Sequence, residues 1–591
     1  MKKRVADIIT EMLYENGIKD CFLVVGGGAM HLDNAFSQNK NFNKYFNHHE
    51  QACAMAAEAY ARYSGKMAAV CVTCGPGGTN TLTGVMGAWQ DSLPLIVIAG
   101  QVRYETTIEK SGLKLRHRGL QEFNILDSVR NMTKYCDMIR DPRETKRIVQ
   151  KAIDIAMSGR RGPVWIDVPL DIQGAVIEEE DLLPCDKKEV LPWDKKGVDE
   201  AVALLNNAER ACVLAGSGII SSGNRELFHQ AFTGSDIPLV GGAWVCDIHS
   251  MECSNYYGIS GNIGPRTGNF ILQNADVILV LGNSLAYRQT GFAQELFAPK
   301  AKIIMVDIDP NEPLKPGLHV EKFVHCDLKD FFEEIIREKI NFKCKSEWVQ
   351  YCQKLKERFT PFEALESGVE ERERISSYYF WKVFQKYAKP DTILALGNNT
   401  ANTAKLQVGI NSEEQRALTN YTCGSMGYDL PAAIGAAVAS GKEVICSTGD
   451  GSIMMNLQEL QTIRYYDLPV KIIIFANDGY NAIRQTCKNF FKGEYFGCSK
   501  ESGISFPEFS KIADCFGFEY ILCETNAELD SCIQKFMNSG KRIIMEVAQK
   551  MDDPVIPKVT SRMDADGKFL TPALHDMAPF LDVAELQKLM F

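Results

Sequence analysis

Asp450 and Asn477 are the two residues whose types and spacing speak most directly of chemistry. Asp450 stands in Gly449-Asp450-Gly451-Ser452, just beyond the apolar run Glu443–Ser447. Asn477 stands in Ala476-Asn477-Asp478-Gly479-Tyr480, just beyond Lys471–Phe475, and 477 − 450 = 27 residues separate the pair. A helical pattern through Leu457, Leu460 and Ile463 joins them. The order is strand, polar loop, helix, strand, polar loop. In a parallel sheet both loops open at the same C-terminal edge, where ligands bind. A carboxylate and an amide oxygen then face one hard cation. Two protein ligands suit a magnesium ion whose octahedron is completed by phosphate oxygens and water. The glycines let backbone approach phosphate closely, although an Asp between glycines is by itself more often a turn.

Glu50 is the second candidate. It opens the small-residue run Gln51-Ala52-Cys53-Ala54-Met55-Ala56-Ala57, which predicts a tightly packed helix. Taken alone, a first-turn Glu is a carboxylate favoured by the helix dipole. Gly75 and Gly77, in Thr73-Cys74-Gly75-Pro76-Gly77-Gly78-Thr79-Asn80, mark a tight turn after a strand. The adjacent His48 and His49 have no partner at metal-site spacing and read as polar residues at a helix entrance.

The elements that must position these residues repeat as strand and helix three times. Strand-like runs are Cys21–Val25, Met67–Val72, Leu95–Ala99 and Val164–Val168 in the first set. Ala211–Ala215, Pro238–Val240, Val277–Leu281 and Lys302–Val306 form the second; Thr392–Leu396, Glu443–Ser447, Lys471–Phe475 and Arg542–Val547 form the third. Continuous apolar strands alternating with helices predict an α/β protein of three open parallel-sheet domains covered on both faces. The expected boundaries are a first domain over 1–176, a linker over 177–196, a central domain over 197–343, a charged linker over 344–374, a third domain over 375–556 and a tail over 557–591.

Composition narrows the class. The 591 residues suit three or four domains, and a net charge of −10 argues against nucleic acid or an acidic membrane as the main partner. No apolar run is long enough to span a bilayer, and residues 1–16 read as an amphipathic helix. The 19 cysteines show a single CxxC, Cys71 and Cys74, without a second pair for zinc. Small buried thiols in a reducing cytoplasm are the expectation.

Taken together these motifs resemble the thiamine diphosphate enzymes, and most closely the acetolactate synthase family. The Gly-Asp-Gly segment and its distant Asn look like the family's diphosphate motif. The stretch from His49 to Arg62 resembles its H-E-x-x-A-x-x-x-A-x-x-Y-A-R. The Thr73–Asn80 and Asp91–Val102 stretches resemble two further blocks, and Tyr421–Ala436 resembles G-x-M-G-x-x-L-P-A-A-I-G-A. The resemblance implies pyrimidine-binding, central and diphosphate-binding domains, in that order. It implies thiamine diphosphate and Mg2+, the metal held by Asp450, Asn477 and the Gly479 backbone. It implies Glu50 as the catalytic carboxyl that holds the cofactor's aminopyrimidine in its imino form. Cofactor-binding positions carried over are Gly28, Gly75, Gly77, Asn80, Gly424, Met426, Gly449, Gly451, Ser452, Tyr480 and Asn481, with Met426 as the wedge that keeps the cofactor bent. Glu58 is expected at solvent or against another helix. Active sites shared between two chains imply a homodimer or homotetramer.

Two departures bear on ligands. Gly264–Asn269 and Val306–Pro310 resemble FAD-contacting segments, which suggests Arg266, Arg288, Asp307 and Asp309 as contacts. The family's R-F-D-D-R-x-T-G, however, is here Ser284–Gly291, without the first Arg and both acids, so FAD binding is left open. After the metal loop the family reads G-M-V-x-Q-W-Q, whereas this chain has Asn481–Cys487, with Thr486 where the Trp stands. A hydroxyl in place of an indole implies a larger, more polar acceptor pocket near Gln121, Ile483 and Thr486. Such variants, the Gly26–His31 segment and the tail from Asp566 resemble a branch typified by the yersiniose-forming sugar carboligase. The implied reaction decarboxylates pyruvate, or a related 2-oxo acid, and transfers a two-carbon unit to a carbonyl acceptor such as a keto-sugar nucleotide. A non-ligating decarboxylase and a catalytically silent regulatory subunit are the alternatives. For the tail, closure over the site and a plain surface course both stay open.

Overall fold

The computed structural model describes residues 1–186, 191–563 and 569–591. The chain forms two compact units: Met1–Val190 with Asn420–Cys446 and Ser452–Lys471, and Leu191–Thr419 with Ser447–Gly451 and Ile472–Phe591.

Three six-stranded sheets carry the fold. The first runs, in spatial order, Asn43–Phe46, Asp20–Leu23, Ala69–Val72, Ile96–Gln101, Val164–Pro169, Tyr135–Met138, all parallel. The central sheet runs Tyr256–Ile259, Leu239–Gly241, Ala211–Ala215, Val277–Leu281, Lys302–Asp307, Lys322–His325, again parallel. The third runs Arg416–Leu418, Ile393–Leu396, Val444–Gly449, Val470–Ala476, Ile543–Ala548, Glu519–Cys523. The apolar runs read from sequence are the four inner strands of each sheet, which are covered on both faces and therefore continuously apolar. Both edge strands of every sheet escaped that reading.

In the first unit the helix Glu50–Ser64 is the central brace. Alanine favours it, the His49 side chain accepts from Gln51 N–H at its start, and Gly65 at φ 67° ends it. It is not amphipathic: Ala52 through Ala61 are all buried. The helix Asp429–Ser440 lies against it so closely that a Cβ on Gly435 would come within 2.0 Å of the Ala56 carbonyl oxygen. Glu58, expected at solvent or a helix, is buried at this contact and accepts from Tyr428 Oη at 2.7 Å and from Arg62. The first-domain boundary extends past 176, because Val176–Glu178 pairs antiparallel with Lys2–Arg4.

In the second unit, the stretch 344–374 expected as a linker carries the helix Ser346–Arg358. Its Trp348, Cys352 and Leu355, with Phe359 just beyond, complete the core of the central sheet. Part of the tail is buried as well: Leu574 enters that same core and Met577 is fully buried, while Pro579, Phe580 and Phe591 are exposed. Within the expected linker 177–196 and tail 557–591, residues 187–190 and 564–568 lie outside the described residues, so the Asp566-Gly567-Lys568 resemblance has no structural counterpart here. Among the described residues no helix is long and apolar enough to cross a membrane.

Candidate active site

Two loop systems present the predicted site residues, one in each unit. In the first unit, Glu50 sits half-buried at the head of its helix, where Asn80 Nδ2 donates to its Oε2 at 3.0 Å. Asn80 ends the short helix Pro76–Asn80 that follows Gly75, so the strand Ala69–Val72 aims both the turn and Asn80 at Glu50. Gly77 lies next to the same carboxylate; its Cβ would stand 3.8 Å from Oε1 and 2.8 Å from Thr73 Cγ2. Gly75, at φ +60°, admits a close approach: a Cβ there would strike the Gln121 carbonyl oxygen at 2.4 Å. Gly28 donates its N–H to Thr73 Oγ1 at 3.0 Å and accepts from Gln173 Nε2 at 2.8 Å. Glu50, Gly28, Gly75, Gly77, Asn80 and Gln121 thus line one cradle at the C-terminal edge of the first sheet.

The entrance to the Glu50 helix is held by a residue that sequence reading missed. Glu459 is fully buried and accepts from Asn47 Nδ2 at 2.9 Å and from the His48 N–H at 3.0 Å. Its only sequence signal is a carboxylate inside an otherwise apolar helical stripe. The Met426 segment belongs to this unit too. Met426 is half-buried between Gly424 and Gly427, and Gly427 N–H donates to Ser452 Oγ at 2.8 Å. Ser452 in turn donates to Asp429 at 2.7 Å, so its hydroxyl fixes the Met426 loop.

In the second unit Asp450 opens a short helix, not the loop expected. Its Oδ1 accepts from Gly451 N–H at 2.8 Å, and its Oδ2 accepts from Asn477 N–H at 3.0 Å and Gly479 N–H at 3.2 Å. Those bonds tie the two loops that sequence spacing paired. Burial pushes the Asp450 carboxyl up to about 7, against the lowering pull of the three backbone N–H groups. Among the described residues this buried carboxylate makes no ion pair and accepts only from backbone N–H groups, and a divalent ion would supply counter-charge. Gly479, at φ +155°, is sterically obligatory: a Cβ would lie 1.9 Å from the Cys498 carbonyl oxygen. Gly451 packs on Tyr480, whose ring Cε1 would be 2.1 Å from a Cβ, and Gly449 faces Asn399. Asn481 donates to Thr400 Oγ1 and the Asp553 carbonyl, while its buried Oδ1 has no partner among the described residues.

Arg484 is the unforeseen member. It is 3% exposed, and its Nη2 donates to both the carbonyl and the Oδ1 of Asn477 at 2.7 Å. A guanidinium therefore engages the amide oxygen expected on the metal. The signal was present as an Arg at the unspecified position of the family's G-M-V-x-Q-W-Q. Ile483 is exposed on the same helix, Asn481–Phe490. Thr486 does not present a free hydroxyl donor, since its Oγ1 donates to the Ala482 carbonyl at 3.1 Å.

The four residues expected at FAD differ in exposure and partners. Arg266 is buried and bonded within the chain, Arg288 is exposed, and Asp307 and Asp309 accept from the loop N–H groups of Asp309 and Asn311.

Comparison with known proteins agrees with this geometry. Residues 3–127, 198–335 and 395–547 match the N-terminal TPP-binding, central and C-terminal TPP-binding domains of thiamine pyrophosphate enzymes. The large subunit of acetolactate synthase isozyme 1 from Escherichia coli K12 is 31% identical over 562 residues, 94% of this chain and 95% of the relative. The chain belongs to the thiamine pyrophosphate enzyme family. Chloroplastic acetolactate synthase of Arabidopsis thaliana is 28% identical over 95% of this chain and 83% of its own length. Mitochondrial acetolactate synthase of Schizosaccharomyces pombe is 28% identical over 94% and 85%. Fold and cofactor class follow: three parallel-sheet domains of a thiamine diphosphate-dependent enzyme.

Proposed function

We propose that this enzyme decarboxylates pyruvate, or a close 2-oxo acid, and transfers the two-carbon unit to a carbonyl acceptor, with a keto-sugar nucleotide as the acceptor class. The observation that carries the catalytic part is the Glu50 carboxylate, oriented by Asn80 within a glycine cradle. Thiamine diphosphate, when bound, would supply the carbon nucleophile and the electron sink that decarboxylation of a 2-oxo acid needs. Glu50 is the carboxyl that exchanges a proton with the aminopyrimidine. Asn80 fixes its Oε2, and Gly28, Gly75 and Gly77 allow the close approach of Thr73, Cys74 and Gln121 that shapes the cradle. Asp450, Asn477 and the Gly479 carbonyl would hold Mg2+, the Asn477 oxygen by exchanging its Arg484 hydrogen bond for the ion; Gly449, Gly451, Tyr480 and Asn481 would face the diphosphate, and Gly424, Met426 and Ser452 would bind the cofactor from the first unit. These assignments rest on the matched motifs and on the hydrogen bonds that bring the residues together.

The acceptor reading is supported by Thr486, which leaves volume where the family has an indole, and by exposed Ile483 on the same helix. The yersiniose-type branch fits those departures. A homo-oligomer is supported by exposed apolar side chains on the first unit, Met30, Trp89 and Leu120 among them, and a reducing, cytoplasmic setting by thiols that are all free among the described cysteines. The deciding experiment is carbon-13 NMR of the products formed from labelled pyruvate with thiamine diphosphate and Mg2+, with and without a keto-sugar nucleotide. A labelled branch appearing only with the sugar establishes the acceptor. Acetolactate from pyruvate alone makes the enzyme a synthase despite Thr486, and acetaldehyde alone makes it a simple decarboxylase.

A further inference from the structure

The central sheet has the strand order of a dinucleotide-binding domain, and Gly264–Asn269 and Val306–Pro310 resemble FAD-contacting segments. In such a sheet the ligand lies at the C-terminal edge, over the switch point between the first strand and its later neighbour, on free backbone N–H groups. Here the switch point falls between Ala211–Ala215 and Val277–Leu281. The loops that follow these strands close on each other. Gly216 N–H donates to Leu281 O at 2.8 Å and Gly218 N–H to Gly282 O at 2.9 Å. A Cβ on Gly216 would meet Gly282 O at 2.1 Å and Asn283 Cα at 2.5 Å. The glycines that could admit a pyrophosphate admit the neighbouring loop.

The adjoining donors are engaged in the same way. Gly242 N–H reaches Ala215 O at 2.8 Å, and Asn262 N–H reaches Arg288 O at 2.9 Å. Gln289, 3% exposed, accepts from Ala243 N–H at 2.9 Å and donates to Ser260 Oγ at 2.8 Å. The one buried arginine of the expected set is bonded within the chain through all three of its nitrogens. Arg266 Nε donates to Glu363 at 2.9 Å, Nη1 to Met577 O at 3.3 Å and Nη2 to Pro579 O.

Two of those acceptors belong to the C-terminal tail, which is bonded to this domain at Val559, Leu574, Met577, Pro579 and Phe591. Val559 N–H donates to Asn262 O at 2.8 Å, and Asn269 Nδ2 donates to Leu574 O at 3.1 Å. Leu574 packs beside Phe270 in the core, 3.7 Å from the Cβ position of Gly291. At the far end Phe591 N–H donates to Asn274 Oδ1 at 2.8 Å, and the Phe591 ring packs on Tyr351. Asn262, Arg266, Asn269 and Gly291 lie in or beside the segments expected to face a flavin dinucleotide.

We propose that the C-terminal tail takes the place of FAD in this chain: the central domain binds no flavin, and the described tail residues, Val559 and those from Leu574 to Phe591, supply the packing that a dinucleotide would otherwise give it. Nothing in the proposed reaction is lost, because carboligation is redox-neutral. The test uses the full-length enzyme. Flavin released on denaturation is quantified by fluorescence, FAD is titrated back with flavin fluorescence and melting temperature as readouts, and amide hydrogen exchange is followed at Val559, Ala578 and Phe591. The expected result is no released flavin, no saturable fluorescence change, no melting shift, and slow tail exchange that FAD leaves unchanged. A stoichiometric flavin, a saturable response to FAD, or tail amides that exchange as fast as a free peptide would overturn the proposal.

Discussion

The first and third sheets are wound alike but carry different loop chemistry. With strands numbered by their place along the chain, both read 2-1-3-4-6-5, whereas the central sheet reads 3-2-1-4-5-6. After its third strand the first sheet sends out an uncharged glycine turn, closed by Gln121. After its third strand the third sheet sends out Asp450. The carboxylate of the first sheet, Glu50, is half-buried and hydrogen-bonded through one oxygen; that of the third is buried under three backbone N–H groups. One arrangement suits a carboxyl that exchanges protons, the other a carboxylate that holds a cation. A shared winding therefore fixes where ligands go, and the loops decide what they are. The central sheet shows the converse, a dinucleotide winding whose loops have closed.

The sharpest way to break this division of labour is to exchange its two carboxylates for neutral side chains. Asp450→Ala is expected to abolish the thermal stabilisation given by Mg2+ with thiamine diphosphate and to lower turnover by roughly 10³-fold or more. Glu50→Gln should lower turnover by roughly 10²–10⁴-fold while leaving Mg2+-dependent stabilisation intact. If Glu50→Gln also lost the metal response, the two loops would not be doing separate jobs.

A step down in size is packing. Gly435→Ala drives a Cβ into the Ala56 carbonyl and should destabilise by about 1–3 kcal/mol in denaturant unfolding. Gly540→Ala, with nothing within 4 Å, is the control and should shift stability by less than about 1 kcal/mol. Thr486→Trp refills the pocket; the ratio of kcat/KM for a bulky acceptor over pyruvate should fall by roughly 10-fold. An unchanged ratio would remove Thr486 from the specificity argument.

The smallest expected effect is on pH. In the second unit His249 Nδ1 meets Glu413 Oε1 beside His229, Arg225, Asp247 and Cys253. Burial works against a charged His249, yet hydrogen bonds to Cys253 and Glu413 hold it up at about 9 from an ordinary 6.5. A raised histidine stabilises fully below 6.5 and loses that contribution as pH climbs through 9. Glu413 is lowered from 4.5, despite burial, by His249 and the Ser250 N–H, so its contribution is lost only as pH falls below 4.5. His229, lowered by burial, trims stability below 6.5. The melting temperature should decline between pH 6.5 and 9, and His249→Gln should flatten that slope.

How far the sequence revealed this depends on which strand is asked about. Val277–Leu281 and Ala211–Ala215 were legible to the residue because strands covered on both faces must be apolar throughout. Asn43–Phe46, Tyr135–Met138 and Lys322–His325 lie at sheet edges, where lysine, aspartate and histidine are tolerated and no apolar run marks the strand. The site divided similarly. Glu50 and Asp450 announce themselves through neighbours fixed by close approach. Glu459 acts through partners about 410 residues away in sequence, and Arg484 stands at a motif position that specifies no residue type. The helix at 346–358 was obscured by its charged outer face, although Trp348, Cys352 and Leu355 repeat at helical spacing.

The crossing of Gly435 over Ala56 has a temporal side. The helix Glu50–Ser64 leaves the ribosome early, yet the surface that covers its alanines is synthesised 435 − 56 = 379 residues later. At elongation rates of roughly 5–20 residues per second the wait is about 20–80 s. A nascent chain must shelter that stripe of alanines for the interval. Stalled or truncated products ending before residue 435 would be natural clients of the chaperones that bind exposed helix faces.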